Sequence, residues 1–298
     1  MSAITATTVK ELREKSGAGM MECKKALEQS NGDLDAAMKW LREKGAASAE
    51  KKAGRATAEG LVAFRVEGGK GVIVEVNCET DFVAKTEQFL ALVADAADTA
   101  AKTSLPADPT EAAAALAQAK AKDGQTLEAH VKAAIAGLGE NMALARAAQI
   151  TVKQGLLGSY RHSDGKLAAL VALECGKADT AAKPEALELA KNLAMQVAGN
   201  LPPAEVVSRE QISPALIARE KEIAVTQAAL AGAGKPQAII DKIAEGKVNK
   251  VLQEITLLEQ PFIMETNLKI SDLLKQAGAK LGDTLTISGF VRLKVGVK

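Results

Sequence analysis

The sequence predicts an α+β chain with a three-helix N-terminal module, a duplicated α+β core and an inserted antiparallel helical hairpin. Three observations carry that expectation. A strand, turn, strand and helix unit that begins at Gly60 returns in weaker form at Gly155, about 95 residues later. A long stretch with helical periodicity after Ser213 is broken by a Gly/Pro run and then resumes. The 298 residues exceed what one core usually fills, and with only 2% aromatic residues and Ala at roughly a fifth of the chain, the helices must pack closely through small side chains.

Thr5 is a candidate N-cap for a first helix that turns Val9 and Leu12 inward and ends at Gly17-Ala18-Gly19. The second helix runs from Met20 to about Ser30, with Met20, Cys23, Ala26 and Leu27 at three- and four-residue spacing. Asn31-Gly32 closes it, and Asp33 caps a third with Leu34, Ala37, Met38 and Leu41 inward. Residues 1–45 thus make one module, and the Ala-rich polar stretch 46–59, which lacks a continuous apolar face, reads as a partly helical linker.

Residues 60–66 and 72–76 alternate as strands around a Gly-rich turn, and an amphipathic helix follows from about 82 through 101 with Phe89, Leu90, Leu92 and Val93 near its inner face. Helices filling 108–148 complete a first core subdomain, 60–148. The second, 149–212, repeats the pattern with strands at 155–161 and 167–173, a turn at 162–166 and a helix at 184–199; Gly60 matches Gly155 and Lys70 matches Lys166.

Residues 213–252 read as the helical hairpin, turning at 232–236, with Leu216, Ile217, Ile223, Leu230, Ile239, Ile240, Ile243 and Val248 as candidate seam residues. The chain returns to the core over 253–298, through an extended stretch at 260–264, a short helix at 270–276 and a strand at 283–295 that completes a sheet.

Charge and composition exclude several functions. With 38 Lys+Arg against 37 Asp+Glu the net charge is +1, so no basic excess exists to neutralise a run of phosphates, and no direct nucleic-acid partner is expected. Cys23, Cys78 and Cys175 lie far apart without a CxxC pair, which leaves neither a disulfide framework nor a zinc site and fits a reducing cytoplasm. Two histidines, His130 and His162, exclude a multi-His metal centre. No apolar run approaches the roughly 18 residues of a membrane span. The first ten residues lack a basic region followed by an apolar one, so a soluble, unprocessed cytoplasmic chain with no membrane partner is expected.

The most informative segment is Glu75-Val-Asn-Cys-Glu-Thr-Asp-Phe-Val-Ala-Lys85, where a strand ends and a helix begins. Thr80 or Asp81 can cap the free N–H groups, and Phe82, one of five Phe, falls on the first turn. Two readings of Phe82 stay open: a staple against the core, or an exposed anchor for a partner's pocket.

This segment and Leu12-Arg-Glu-Lys-Ser-Gly-Ala-Gly-Met-Met-Glu-Cys-Lys-Lys-Ala-Leu27 are both highly specific, and they resemble the bacterial translation elongation factor Ts family. Its members are the guanine-nucleotide exchange factors of the GTPase elongation factor Tu. The likeness covers nearly the entire chain, and implies that the N-terminal module is ubiquitin-associated-like and docks on the partner's G domain. By the same resemblance Asp81 and Phe82, within Thr80-Asp-Phe-Val83, are the tip that enters the G domain and disturbs its magnesium and phosphate sites. Lys24 and Lys52 match positions of the N-terminal contact, Leu138-Gly139 a loop beside the first subdomain, and His162 the turn of the second. Without the resemblance Lys24 is a solvated helix lysine, Lys52 a solvated linker lysine and His162 a turn histidine. No cofactor is implied, and the magnesium is the partner's.

Many family members continue into a further helix that touches the G domain; here Gly296-Val297-Lys298 follow the final strand, so that contact is expected to be absent. Two other classes compete. A ubiquitin-like-binding adaptor would use residues 4–45 and leave the duplicated core idle, and a cysteine-nucleophile enzyme would need a base beside Cys23, Cys78 or Cys175.

Overall fold

The computed structural model describes residues 4–231 and 236–297; the hairpin break at Gly232-Ala-Gly-Lys235 lies outside the described residues. The N-terminal module consists of α1 (Ala6–Ser16), α2 (Met20–Gln29) and α3 (Leu34–Lys52). Thr5 and Thr8 form a reciprocal capping box at the start of α1, and Gly17 ends it at φ 67°. Leu12, Cys23, Ala26, Leu27 and Ala37 make the module's core. Met20 does not join them: at the first position of α2 it lies beyond the buried seam and is exposed.

Helix α3 continues through the first half of the stretch expected to be a linker. Gly45, just before that stretch, and Ala49 within it are buried, and a Cβ on Gly45 would stand 3.4 Å from the Ala136 methyl. Close approach of backbones replaces a wide apolar stripe, which is why no amphipathic pattern marks this segment.

In the first subdomain β1 (Glu59–Glu67), β2 (Lys70–Cys78) and β3 (Met142–Thr151) form an antiparallel sheet in that order. Helices α4 (Asp81–Ala84), α5 (Glu87–Lys102), α6 (Pro109–Gln118) and α7 (Leu127–Leu138) accompany it. Two expectations are corrected. Residues 142–148 are strand rather than helix, because pairing along β2 supplies the backbone partners that their Ala-rich sequence does not advertise. The helix expected over 82–101 is two helices: Thr86 interrupts it, its hydroxyl donating to the Val83 carbonyl at 2.8 Å and accepting from the Phe89 N–H at 3.2 Å. Leu90 then faces solvent, while Phe89, Leu92 and Val93 are buried.

The second subdomain holds β4 (Gly155–Arg161), β5 (Leu167–Cys175) and α8 (Pro184–Gly199). Beyond it come α9 (Pro214–Ala231), α10 (Gln237–Ile255), β6 (Pro261–Phe262), β7 (Glu265–Lys269), α11 (Ile270–Leu281) and β8 (Leu285–Lys294). The last strand pairs with β5 and gives the order β4-β5-β8. Gly60 and Gly155 share an unusual backbone conformation, at φ 150° and 156°. A Cβ on Gly60 would collide with the Val76 carbonyl, and one on Gly155 with that of Leu173. Lys70 and Lys166, matched in the sequence, make different contacts: Lys70 donates to the last carbonyls around α5 at Ala101 and Thr103, whereas Lys166 pairs with Glu59.

Val62, Ile73 and Ala148 of one sheet meet Ala168, Leu170 and Leu293 of the other, so the sheets pack face to face with helices on their outer faces. Helices α9 and α10 pack on each other through Ala224, Ala228, Ala244, Val248 and Leu252, with Leu216, Ile217, Ile240 and Ile243 partly buried beside them. Ile223, Leu230 and Ile239, expected in the seam, are exposed. Alanines bring the helices close and leave those bulkier neighbours outside. No helix among the described residues is long and apolar enough to cross a membrane.

Candidate functional site

Strand β2 ends at Cys78, and the chain turns through Glu79 and Thr80 into the single turn of α4. Thr80 is extended, with φ −125° and ψ 156°, and is the N-cap. Its hydroxyl oxygen accepts from the Val83 N–H at 3.3 Å and donates to Glu140 Oε1 at 2.6 Å. The Thr80 N–H donates to Glu140 Oε2 at 3.0 Å, and its carbonyl accepts from the Cys78 thiol at 3.2 Å. Each polar atom of Thr80 is therefore engaged.

Glu79 makes the reciprocal contact. Its Oε1 accepts from the Asn141 N–H at 2.6 Å, while the Arg55 guanidinium pairs with it at 3.4 Å. The Asn141 amide in turn donates to the Arg55 carbonyl at 2.8 Å. The segment after α3 and the segment after α7 thus both hold the end of β2.

On this frame Val83 and Ala84 face inward and are buried, and Phe82 points out with 79% of its surface exposed. The core-staple reading of Phe82 fails; Phe89, fully buried, fills the core in its place. Asp81 pairs with Lys85 at 2.6 Å. That hydrogen bond, with the further positive charge of Lys166, holds the Asp81 carboxyl below its ordinary range, so it is ionised at neutral pH.

The other expected residues divide into neighbours and outliers. Leu138 ends α7 and Gly139 caps it at φ 82°, immediately before Glu140. Lys52 donates to the Ile135 carbonyl in the last turn of α7, at 3.4 Å. His162 lies in the β4–β5 turn, where its Nδ1 meets Asp164 at 3.1 Å. That turn is tied to β1 by the Val62 N–H donating to the Gly165 carbonyl at 2.8 Å, and by the Lys166–Glu59 pair. It therefore flanks the corner. Lys24 stands apart on α2, exposed, 3.9 Å from Glu28.

Sequence reasoning misses Glu140, Glu79, Asn141, Arg55 and Lys166, whose roles arise from contacts between distant segments. The one signal available is that Glu140 follows the matched Leu138-Gly139 pair, and a carboxylate after a helix stop is ordinary. Among the described residues no group of three or more His, Cys, Asp or Glu could hold a metal ion. All three cysteines are buried. Burial first, then the Glu140 charge, pushes the Cys78 thiol up to about 12, which makes it a donor to Thr80 and no thiolate nucleophile. What the arrangement can do is present an apolar ring and a carboxylate, side by side, on a fixed corner.

A family model described as Elongation factor TS matches residues 79–297. The chain is 46% identical over 297 residues to the elongation factor Ts of Nitratidesulfovibrio vulgaris strain DP4, covering 99% of this chain and 96% of that one. It is 45% identical over 302 residues to the elongation factor Ts of Desulfovibrio desulfuricans, with 100% of both chains covered. Identity to the elongation factor Ts of Nostoc sp. is 43% over 301 residues, covering 99% and 93%.

Proposed function

The chain belongs to the elongation factor Ts family, and on that premise we propose that it drives GDP release from elongation factor Tu by inserting the Asp81-Phe82 corner into that GTPase. The observation that supports this most is Phe82, 79% exposed on a corner whose backbone is held from two sides. Burying a Phe side chain is worth roughly 1.5–3 kcal/mol, and at this position the gain is available only against a partner.

The protein is a guanine-nucleotide exchange factor, and its mechanism is differential binding. It speeds release only if it binds the empty GTPase more tightly than the loaded one, and linkage then makes nucleotide weaken its binding by the same ratio. It makes and breaks no covalent bond. Asp81 adds a charge: ionised beside Phe82, it opposes phosphate oxygens and competes for magnesium, both of which belong to the partner. Thr80 and Val83 set the corner, Leu138 and Gly139 flank it, and His162 offers a second contact from the adjoining turn. Lys52 shapes the end of α7 beside the corner, whereas exposed Lys24 belongs to a docking face on residues 1–45.

The competing adaptor would need only the N-terminal module, yet the family match spans 79–297 and lies outside it. The test is release of labelled GDP from elongation factor Tu. The full chain should accelerate it catalytically; release no faster than the spontaneous rate would refute the assignment.

A further inference from the structure

We propose that Glu140 is the positioning residue of the exchange corner: its carboxylate fixes the direction in which Phe82 leaves the surface, acting through Thr80. The inference rests on the reading of Phe82 as the inserted side chain. Helix α4 has four residues. A single turn cannot hold its own direction, because helix nucleation is unfavourable and one turn has almost no internal ladder. The orientation of Phe82 must come from what grips the start of that turn.

Glu140 supplies the grip with both oxygens on one residue. Oε2 takes the Thr80 N–H at 3.0 Å and Oε1 takes the Thr80 hydroxyl proton at 2.6 Å. An ionised carboxylate only accepts, so the hydroxyl must spend its proton on Glu140. Its lone pairs are then left for the Val83 N–H, the cap bond that starts α4. Glu140 thus selects one rotor of the hydroxyl as well as one place for the backbone.

Glu140 is itself held. Gly139 delivers it from the end of α7 at φ 82°, and the next residue, Asn141, is buried with its N–H on Glu79 at 2.6 Å. Two consecutive pairs, Glu79-Thr80 and Glu140-Asn141, therefore grip each other: each glutamate accepts the backbone N–H of the residue that follows the other glutamate. The ring of contacts closes across 60 residues of sequence. Phe82 lies two residues beyond it and takes no part in the core, so the ring serves its direction rather than its burial.

The test is a double-mutant cycle in stimulated GDP release from elongation factor Tu, using the full chain with melting temperature measured on each sample. Loss of a charge-assisted fork should lower the maximal release rate of Glu140→Ala about tenfold, with a smaller change in the concentration giving half-maximal effect. Glu140→Gln, whose amide oxygen keeps one acceptor, should recover part of that loss. In the Phe82→Ala background, Glu140→Ala should cost almost nothing further, since a positioning residue has nothing left to position. A loss that persists undiminished without Phe82 would overturn the proposal, as would wild-type rates in Glu140→Ala. If Glu140→Ala fails to fold, the same cycle run with Glu140→Gln decides. Failure of the exchange reading itself looks different: wild type and Phe82→Ala would then release GDP equally slowly.

Discussion

Arg146 on β3 donates from Nε to Glu75 on β2 at 2.7 Å, and Glu75 is only 1% exposed. The two are cross-strand partners in the first sheet, and both reach the end of the chain. Arg146 donates to the Lys294 carbonyl at 2.7 Å, and Glu75 accepts from the Gly296 N–H at 3.2 Å. One ion pair therefore fastens β8, the last strand of the second sheet, to the first.

Removing one partner should be far worse than removing both. Arg146→Met leaves a buried carboxylate uncompensated, an outcome that typically costs about 3–5 kcal/mol. Combining it with Glu75→Gln should recover much of the loss, because the unpaired charge is gone. Urea unfolding of the two variants checks this; equal midpoints would show that Glu75 is not held as a buried charge.

Phe82→Ala should leave the melting temperature near wild type. The penalty of about 3–5 kcal/mol for truncating a core Phe does not apply to a side chain that is mostly solvated. If partner burial supplies the roughly 1.5–3 kcal/mol expected of a Phe, stimulated GDP release should slow by about one to two decades. A destabilised variant with normal release would contradict the exposed-corner geometry.

Strands β1, β2, β4 and β5 were legible because alternation and Gly-bearing turns mark hairpins locally. Strand β3 was not, since residues 142–148 contain four alanines and read as helix former; the open edge of β2 decides their state. The same limit applies to the site. A threonine before Asp81-Phe82 announces a cap, and the motif announces a family, but periodicity cannot tell an outward Phe from an inward one. Glu140 is invisible for a related reason: its role depends on two loops meeting, which no window around either loop contains.

His130 on α7 carries a pH prediction. Its Nδ1 lies 2.5 Å from Asp95 on α5, and its Nε2 lies 3.0 Å from Asp123 in the α6–α7 connection. A neutral imidazole has one N–H, and carboxylates only accept, so both bonds require the imidazolium. Burial by itself pushes the His130 pKa down, but the bonds and charges of Asp95 and Asp123 outweigh it and raise the pKa above the ordinary 6.5. The protonated histidine therefore stabilises the fold fully below 6.5 and loses that contribution as the pH climbs through the raised folded value. The stability advantage of wild type over His130→Gln should be largest near about pH 6 and shrink toward about pH 9. An advantage that grows with pH would mean the ring is neutral in the folded protein.

The helical hairpin should be dispensable for exchange. Its buried side chains, Ala224, Ala228, Ala244, Val248 and Leu252 with Ile212 and Ile255 at the base, form a cluster of their own. The base is held by residues outside 213–252: the Glu205 and Val206 N–H groups donate to the carbonyl of Ile255, the last residue of α10, at 2.9 and 3.2 Å, and the Leu257 N–H donates to the Val206 carbonyl at 2.9 Å. The Arg209–Glu259 ion pair spans the same base from outside the segment. Replacing residues 213–252 with a short Gly/Ser linker should therefore join ends that already lie together, and shortening a loop lowers its closure entropy. Ile212 and Ile255 lose partners, so a modest fall in melting temperature is expected. GDP release from elongation factor Tu should stay close to wild type, because Thr80, Phe82 and Glu140 lie on the segments around α4 and α7 and are not members of this cluster. A variant that melts cooperatively but no longer stimulates release would place part of the exchange interface on the hairpin itself.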